Sequence, residues 1–451
     1  MKSSEYINKS RRDYSLYVLQ MRAIPSIADG LKAGGRRVLW TAKDGQKYKS
    51  AALAGRTMPL HPHAAPEGAI NTLAAPYGNN IPFFQGYGAF GTLLRPTAYG
   101  ASRYTSVKVS KFTKDVIFKD LELVPMQENY DGTLEEPKHF LPLVPTALLN
   151  PSQGIAIGFA TNILPRSLED IINTQILFLK GRKRAIPEIF PYFEPTDNAA
   201  DEYEETNNGN VAYYFQGKVV VLDQKRALVS SLPYGLSHEK FIDYLDTLKE
   251  QKVVVSYTDN SRDVIDVTVK FGDKINHKRP IADVKERLKL ISREVENLTL
   301  IDFDGESVLT IRPIEIIRRF TEWRLGWYLK RYQRLHNELE VDIQKYKDIL
   351  TAIAKNVGSK ARTINSRLQL IEYLKSIGIV HTDYIASFPV YRFTKDEKKK
   401  AQQKLKEANA QLKQYKKLIK LLISFVRLKD LILLIFQLTI LFQIPNSMTW
   451  V

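Results

Sequence analysis

The chain of 451 residues contains no cysteine, which excludes disulfides and every metal site built on thiolates. Its N-terminus, MKSSEYINKSRRDYSLYVLQ, mixes charges and holds no apolar run, so no signal peptide is expected and the protein is placed in the cytoplasm. Long hydrophobic stretches are scarce too: the most apolar one, 431–444, has about 14 residues where a membrane span needs roughly 20. After Glu67 no acidic residue occurs until Asp115. Positive charge is what the chain has in excess, with a formal net charge of +17, and that favours a polyanionic partner. Residues 1–110 carry 15 Lys or Arg against 5 Asp or Glu. A generally basic solvated surface is the plainer explanation, and this clustering in the first quarter weighs against it. The length suits two or three domains, each with its own core.

The basic quarter contains Gln85–Ser110, QGYGAFGTLLRPTAYGASRYTSVKVS, with Arg103-Tyr104 near its end. A phenol beside a fixed positive charge is what attack on a phosphodiester needs: nearby cations favour loss of the tyrosine proton, and a guanidinium holds a phosphate oxygen in a fork. Alone, an Arg-Tyr pair is ordinary sequence in a chain with 23 tyrosines. Gly86, Gly88 and Gly91 formally spell G-x-G-x-x-G, but a dinucleotide loop opens a helix and is followed by an acidic residue, whereas here Pro96 intervenes. The glycines read instead as a tight loop that delivers Tyr104.

Residues 5–25 show a helical apolar face ended by Pro25. RRVLWTA reads as a helix with Arg36 and Arg37 in its first turn. Cations there oppose the helix dipole, so an outside anion such as DNA phosphate is the expected partner, and an exposed basic helix end is the alternative. Lys49 and Arg56 follow, then LHPHAAPEG with His61 and His63. Two histidines at i and i+2 could bind metal, but only Glu67 is near, so phosphate contact or structural use fits better. Between Phe112 and Pro151 the chain looks extended and loop-rich. Ile155, set near Gly154 and Gly158, suits either a buried core strand or a wedge between base pairs. Residues 167–310 alternate helices (168–179, 238–252) with strands (211–221, 227–231, 253–257, 264–270), an α+β pattern. The acidic stretch 198–210 reads as a loop, and Asp302-Phe303-Asp304-Gly305 as a hairpin turn rather than a metal site. A long helix is predicted from Pro313 to Lys355. After an insert, Ala401, Leu405, Ala408, Leu412, Tyr415, Ile419 and Leu422 form a coiled-coil seam.

RAIPSIADGLKAGGRRVLW, HPH, GYGAFGT, SRYTSV, NYDGT (129–133), LPLVPTALLNPSQGIAIGFATNILPRSL and SLPYG (231–235) occur in one order that resembles the breakage-reunion subunit of type IIA DNA topoisomerases, over about residues 10–425. It is similar in kind to the gyrase A and topoisomerase IV A subunits, and in length to a phage medium subunit; a viral origin would put it in a host's cytoplasm. The resemblance implies an α+β multidomain fold. A winged-helix DNA-binding domain would occupy 1–117, an α+β tower domain 118–310, and a long antiparallel coiled-coil arm 311–430, with a small helical dimerisation tip at 357–394. The apolar tail 431–451 either packs on a partner subunit or comes from an altered reading frame.

The resemblance further implies that Tyr104 forms a transient 5′-phosphotyrosyl bond in a homodimer, so that a second duplex can pass through a double-strand break. It assigns Arg103 and Arg22 to the charge on the phosphate, Lys32, Arg36, Arg37, Lys49, His61 and His63 to DNA binding, and Ile155 to intercalation. The loop Ala33-Gly34-Gly35 and the residues Ala64-Ala65 after HPH depart from the family's pattern. No Glu-Gly-Asp-Ser motif is present, Asp302-Phe303-Asp304 is read as a turn rather than the family's magnesium site, and no metal is assigned to this chain, so Mg2+ and ATP are expected on a second subunit that carries the ATPase. A DNA-wrapping domain, and hence active negative supercoiling, is not expected. A catalytically inactive DNA-binding protein on the same fold and a tyrosine recombinase are the other readings. The intact Arg103-Tyr104 speaks against the first, and a magnesium requirement met by another subunit would separate the second.

Overall fold

A computed structural model describes residues 17, 19–62, 66–156, 158–180, 186–206 and 209–428. The chain divides into two compact units, the first ending at Arg324 and the second beginning at Leu325. Residues 1–16, most of the predicted first helix, and the tail 431–451 lie outside the described residues.

The first unit opens with a five-residue π-helical turn, Leu19–Ala23. Helix α1 (Ala33–Thr41) buries Val38 and Leu39. Strand β1 (Tyr48–Lys49), α2 (Ser50–Thr57) and α3 (Pro66–Ala74) follow, then β2 (Phe84–Tyr87) and β3 (Ser106–Val109). The three strands form an antiparallel sheet in the order β1-β3-β2. The stretch 112–151 is loop-rich, broken only by short helical turns and the hairpin of β4 (Met126–Glu128) and β5 (Glu135–Pro137).

Next comes a hairpin of β6 (Ser152–Ala156) and β7 (Phe159–Ile163), followed by α4 (Leu168–Leu179). Strands β8 (Tyr192–Phe193), β9 (Asn198–Glu205), β10 (Val211–Gln216), β11 (Lys218–Val221) and β12 (Arg226–Ser231) lead to α5 (His238–Glu250). Strands β13 (Val254–Asp259) and β14 (Val267–Phe271), helix α6 (Pro280–Arg287) and strand β15 (Ile291–Glu296) complete two four-stranded sheets, β15-β10-β9-β8 and β11-β12-β14-β13. In β12 and β14 every second residue is buried, the alternation of a sheet with one face on a core. That core joins Val229, Val267 and Phe271 to Phe241 and Leu245 of α5 and Val284 of α6.

The acidic stretch from Asn198 differs from expectation: as far as Glu205 it is strand β9, not loop. Pairing with β10 supplies its backbone bonds, and Arg293 and Arg312 neutralise Glu204 and Glu205, so the like charges do not force the chain out of the sheet. Strands β16 (Thr299–Ile301) and β17 (Val308–Thr310) form the hairpin expected around Asp302-Phe303-Asp304. Asp304 Oδ1 accepts from the Glu306 and Ser307 amides, and Asp302 pairs with Arg319 at 2.8 Å, so both carboxylates are used structurally.

Helix α7 (Pro313–Ala354) runs from the first unit into the second. Within the second unit, α8 (Val357–Lys360), α9 (Arg367–Ser376) and α10 (Thr382–Ala386) build a small cap, and α11 (Lys395–Leu428) returns. Ala401, Ala408 and Leu422 of the predicted seam are buried and the other four positions half-buried. Ala401 shares a core with Ile349 and Ala352, and the rings of Tyr415 and Tyr332 lie 5.7 Å apart. Later residues of α11 therefore meet earlier residues of α7, an antiparallel pair. Asp348, buried in α7, accepts from the Val380 amide at 3.2 Å and from the His381 amide and Nδ1 at 2.8 Å each, fixing the cap's loop.

Candidate active site

Tyr104 sits at the end of the long connection from β2 to β3, in a turn closed by its amide donating to Ala101 O at 2.9 Å. The turn is fastened to the start of α2, whose first amides have no partners within the helix. Ser50 N–H donates to Thr105 O at 3.1 Å and Ala51 N–H to Ser102 O at 3.2 Å. Side chains add to this: Thr105 Oγ1 donates to Ser50 Oγ and Ser102 Oγ to Glu67 Oε1, both at 2.8 Å. Lys49 Nζ donates to Tyr104 O at 3.2 Å, and the Arg103 guanidinium lies 4.8 Å from the Tyr104 ring centre. The backbone is thus held on both flanks while the tyrosine side chain stays 71% exposed. The glycine-bearing stretch ahead of it opens no helix, in keeping with a delivery loop rather than a nucleotide fingerprint.

Arg22, Lys32 and Ile155 gather around the β6–β7 hairpin. Gly154 lies flat on the π-helical turn, where a Cβ would come within 2.0 Å of Ala23 O, so only glycine allows this approach. Lys32 Nζ donates to Gln153 O, and burial pushes its pKa below the ordinary lysine value. Arg22 is exposed. Ile155, whose sequence also suited a core strand, is on a strand but 88% exposed. No hydrogen bond or ion pair among the described residues joins this group to the Tyr104 turn.

Arg36 and Arg37, expected to face an outside anion or to form an exposed helix end, are instead buried against protein carboxylates. Arg36 holds Asp29 in a two-point contact at 2.8 and 2.9 Å; burial works against its charge, but Asp29 outweighs this and its pKa is raised. Arg37 holds Glu136 at 2.5 and 2.8 Å. His61 is buried too, with Nε2 at 2.5 Å from Tyr17 Oη and its ring edge-on to Tyr130. His63 lies outside the described residues. Sequence reasoning missed Asp29, Glu136, Glu67 and Ser102 as partners. A carboxylate seven residues before Arg36 is a faint signal; Glu136, 99 residues after Arg37, gives none.

The sequence profile of the family formed by the A subunits of DNA gyrase and topoisomerase IV matches residues 22–429. The chain belongs to this family. Its members are the breakage-reunion subunits of type II topoisomerases. The chain is 28% identical over 414 residues to the DNA topoisomerase medium subunit of Enterobacteria phage T4, covering 87% of this chain and 90% of that one. It is 29% identical over 364 residues to the DNA gyrase A protein of Thermotoga maritima, covering 70% of this chain and 44% of that protein. In structure it resembles the topoisomerase II DNA-binding, cleavage and re-ligation domain of Plasmodium falciparum, with a TM-score of 0.76 at 20% identity, over 96% of this chain and 65% of that one.

The family implies a divalent metal, and the described residues do not by themselves fit one. Among the described residues no three His, Asp or Glu converge as ligands. Glu67, the carboxylate tied to the Tyr104 turn, already accepts from Ser102. No described helix is long and apolar enough to cross a membrane.

Proposed function

We propose that this chain is the DNA cleavage and religation subunit of an ATP-dependent type II DNA topoisomerase, with Tyr104 as nucleophile. The observation that carries the reading is an exposed tyrosine on a backbone fastened at Ser50, Ala51 and Lys49, in a chain of the gyrase A family. Tyr104 Oη loses its proton and attacks a DNA phosphorus; the bond to the 3′ oxygen breaks, that oxygen takes up a proton, and a 5′-phosphotyrosyl ester remains. Because one ester replaces another, the bond energy is retained and the 3′ hydroxyl reseals the strand by the reverse step. Arg103 and Arg22 stabilise the charge on the phosphate, Lys32, Lys49 and His63 position the backbone, and Ile155 wedges between bases. Arg36, Arg37 and His61, turned inward, hold the frame that presents these groups.

In this reading residues 1–117 are a winged-helix domain, 118–310 a tower, and 311–430 a coiled-coil arm whose tip joins two copies as the exit gate. Leu368, Val380, Val390 and Tyr391, all more than 60% exposed on that tip, suit such a contact. Mg2+ and ATP are bound by a second subunit. The test is to incubate the chain with that subunit, Mg2+, ATP and supercoiled DNA, then denature. Protein covalently held on the 5′ ends is expected, and protein on the 3′ ends contradicts the chemistry.

A further inference from the structure

The connection between β2 and β3 closes on itself before it reaches Tyr104. Phe90 and Tyr99 pair as an isolated antiparallel bridge, and Gly100 N–H donates to Ala89 O at 2.9 Å. Further out, Thr92 N–H donates to Arg95 O at 3.0 Å and Arg95 N–H to Thr92 Oγ1 at 3.2 Å. Gly91, at φ +95°, has no room for a side chain: a Cβ there would lie 2.2 Å from Pro96 O. A loop packed on itself in this way is a compact body whose ends are held close.

The base of the loop grips the neighbour of Tyr104. A Cβ on Gly88 would lie 3.4 Å, and one on Gly100 3.1 Å, from Thr105 Cγ2, so both ends of the loop rest on Thr105. The tip goes elsewhere. Leu93 and Leu94 pack against the core between the β11-β12-β14-β13 sheet and helices α5 and α6, and Arg95 Nε meets Glu239 Oε1 of α5 at 2.8 Å. Two adjacent leucines on a loop tip are unfavourable in water and favourable when docked. An open cleft of 1470 Å³ lies between the loop and this layer, so the loop spans a gap and is anchored at its tip.

We propose that residues 88–100 are a strut that sets the position of Tyr104 from the β11-β12-β14-β13 sheet, with Leu93, Leu94 and Arg95 as positioning residues for cleavage. The inference rests on Tyr104 being the nucleophile. A tilt of the sheet carries the docked tip with it, and the self-closed loop passes the movement to Thr105 and so to Tyr104. A nucleophile misplaced by about 1 Å loses about 10²-fold in rate. The Arg95–Glu239 pair, exposed to solvent on both sides, adds direction more than strength.

The test uses the full chain with its partner subunit, Mg2+ and ATP, and measures two quantities separately: DNA affinity, and the yield of covalent protein–DNA complex at a fixed early time with saturating DNA, which reads its rate of formation. Leu93→Ala/Leu94→Ala is expected to lower the covalent yield about tenfold while affinity stays within about twofold, since phosphate contacts elsewhere carry it. Arg95→Glu lowers the yield less while DNA affinity and melting temperature stay at the wild-type values, and adding Glu239→Arg restores it; a merely structural role would lower the melting temperature in step with the yield. A wild-type yield from the leucine variant, or a charge swap that fails to restore the Arg95→Glu defect, overturns the strut. Should the leucine variant fail to fold, the charge swap at the surface decides alone. Tyr104→Phe separates the two levels: if it still forms covalent complex, the nucleophile is misassigned; if it forms none while the strut variants match wild type, only the strut fails.

Discussion

Lys49 Nζ lies 3.2 Å from the backbone oxygen of Tyr104, so the cation that precedes α2 is tied to the tyrosine proposed as the nucleophile. The ammonium is exposed and can face a phosphate while it holds the turn. Lys49→Ala is expected to lower the cleavage rate by about 10²-fold, the effect of displacing a reacting group by roughly 1 Å. It should also reduce the salt dependence of DNA binding by about one counterion. Single-turnover cleavage and binding at several salt concentrations measure the two effects, and an unchanged cleavage rate would remove Lys49 from the site.

Ile155 buries almost nothing in the free protein, being 88% exposed. Ile155→Ala should therefore leave the melting temperature unchanged and weaken DNA bending, because the side chain must offset an unstacking cost of a few kcal/mol. Fluorescence transfer across a short end-labelled duplex reads this directly. Equal bending by wild type and variant would contradict the wedge.

The features legible in the sequence were those written into local periodicity. Helix α4 covers Leu168–Leu179 as expected, and α7 runs from Pro313 to within one residue of the predicted end, because heptad spacing and a proline start are local signals. The loop that leads to Arg103-Tyr104 is legible in its own way, since the glycines ahead of it mark a tight connection that opens no helix. What stayed hidden depends on partners distant in the chain. β9 is a strand because β10 pairs with it and Arg293 and Arg312 meet its glutamates. In sequence Arg36 and Arg37 suit phosphate, whereas in the fold Asp29 and Glu136 lie beside them. His61 is turned inward by Tyr17 and Tyr130, neither of which marks the HPH sequence as buried.

Arg37 distinguishes frame from ligand. Removing it leaves Glu136 buried without its charge partner, so Arg37→Ala is expected to cost about 3–5 kcal/mol of stability. Replacing both residues with apolar ones of similar volume should recover most of that loss. Urea unfolding measures it; unchanged stability together with a weaker salt dependence of DNA binding would make Arg37 a phosphate ligand instead.

Lys32 should give DNA binding a pH dependence. Burial holds its pKa below the ordinary 10.5, so as pH rises the folded protein releases this proton before the unfolded chain does. Between the lowered value and 10.5 the unfolded state binds more protons, and this residue makes stability rise with pH. DNA affinity falls over the same window, because the neutral amine no longer pairs with phosphate. A bound phosphate favours the ammonium, so binding takes up a proton there. Lys32→Arg stays charged and should abolish that uptake. Calorimetry in two buffers of different ionisation heat reads it, and equal uptake by wild type and variant would contradict the assignment.

Tyr104→Phe removes one oxygen and almost no volume, so the fastened turn and the fold should survive. DNA binding should persist as well, since the salt-sensitive contacts come from lysine and arginine side chains. The decisive measurement is the covalent yield of this variant with its partner subunit, Mg2+, ATP and supercoiled DNA, after denaturation. No protein on the 5′ ends and no relaxation is the predicted result. Covalent protein-linked breaks from Tyr104→Phe would contradict it and move the nucleophile to another tyrosine, with the nearby Tyr99 first to be tested.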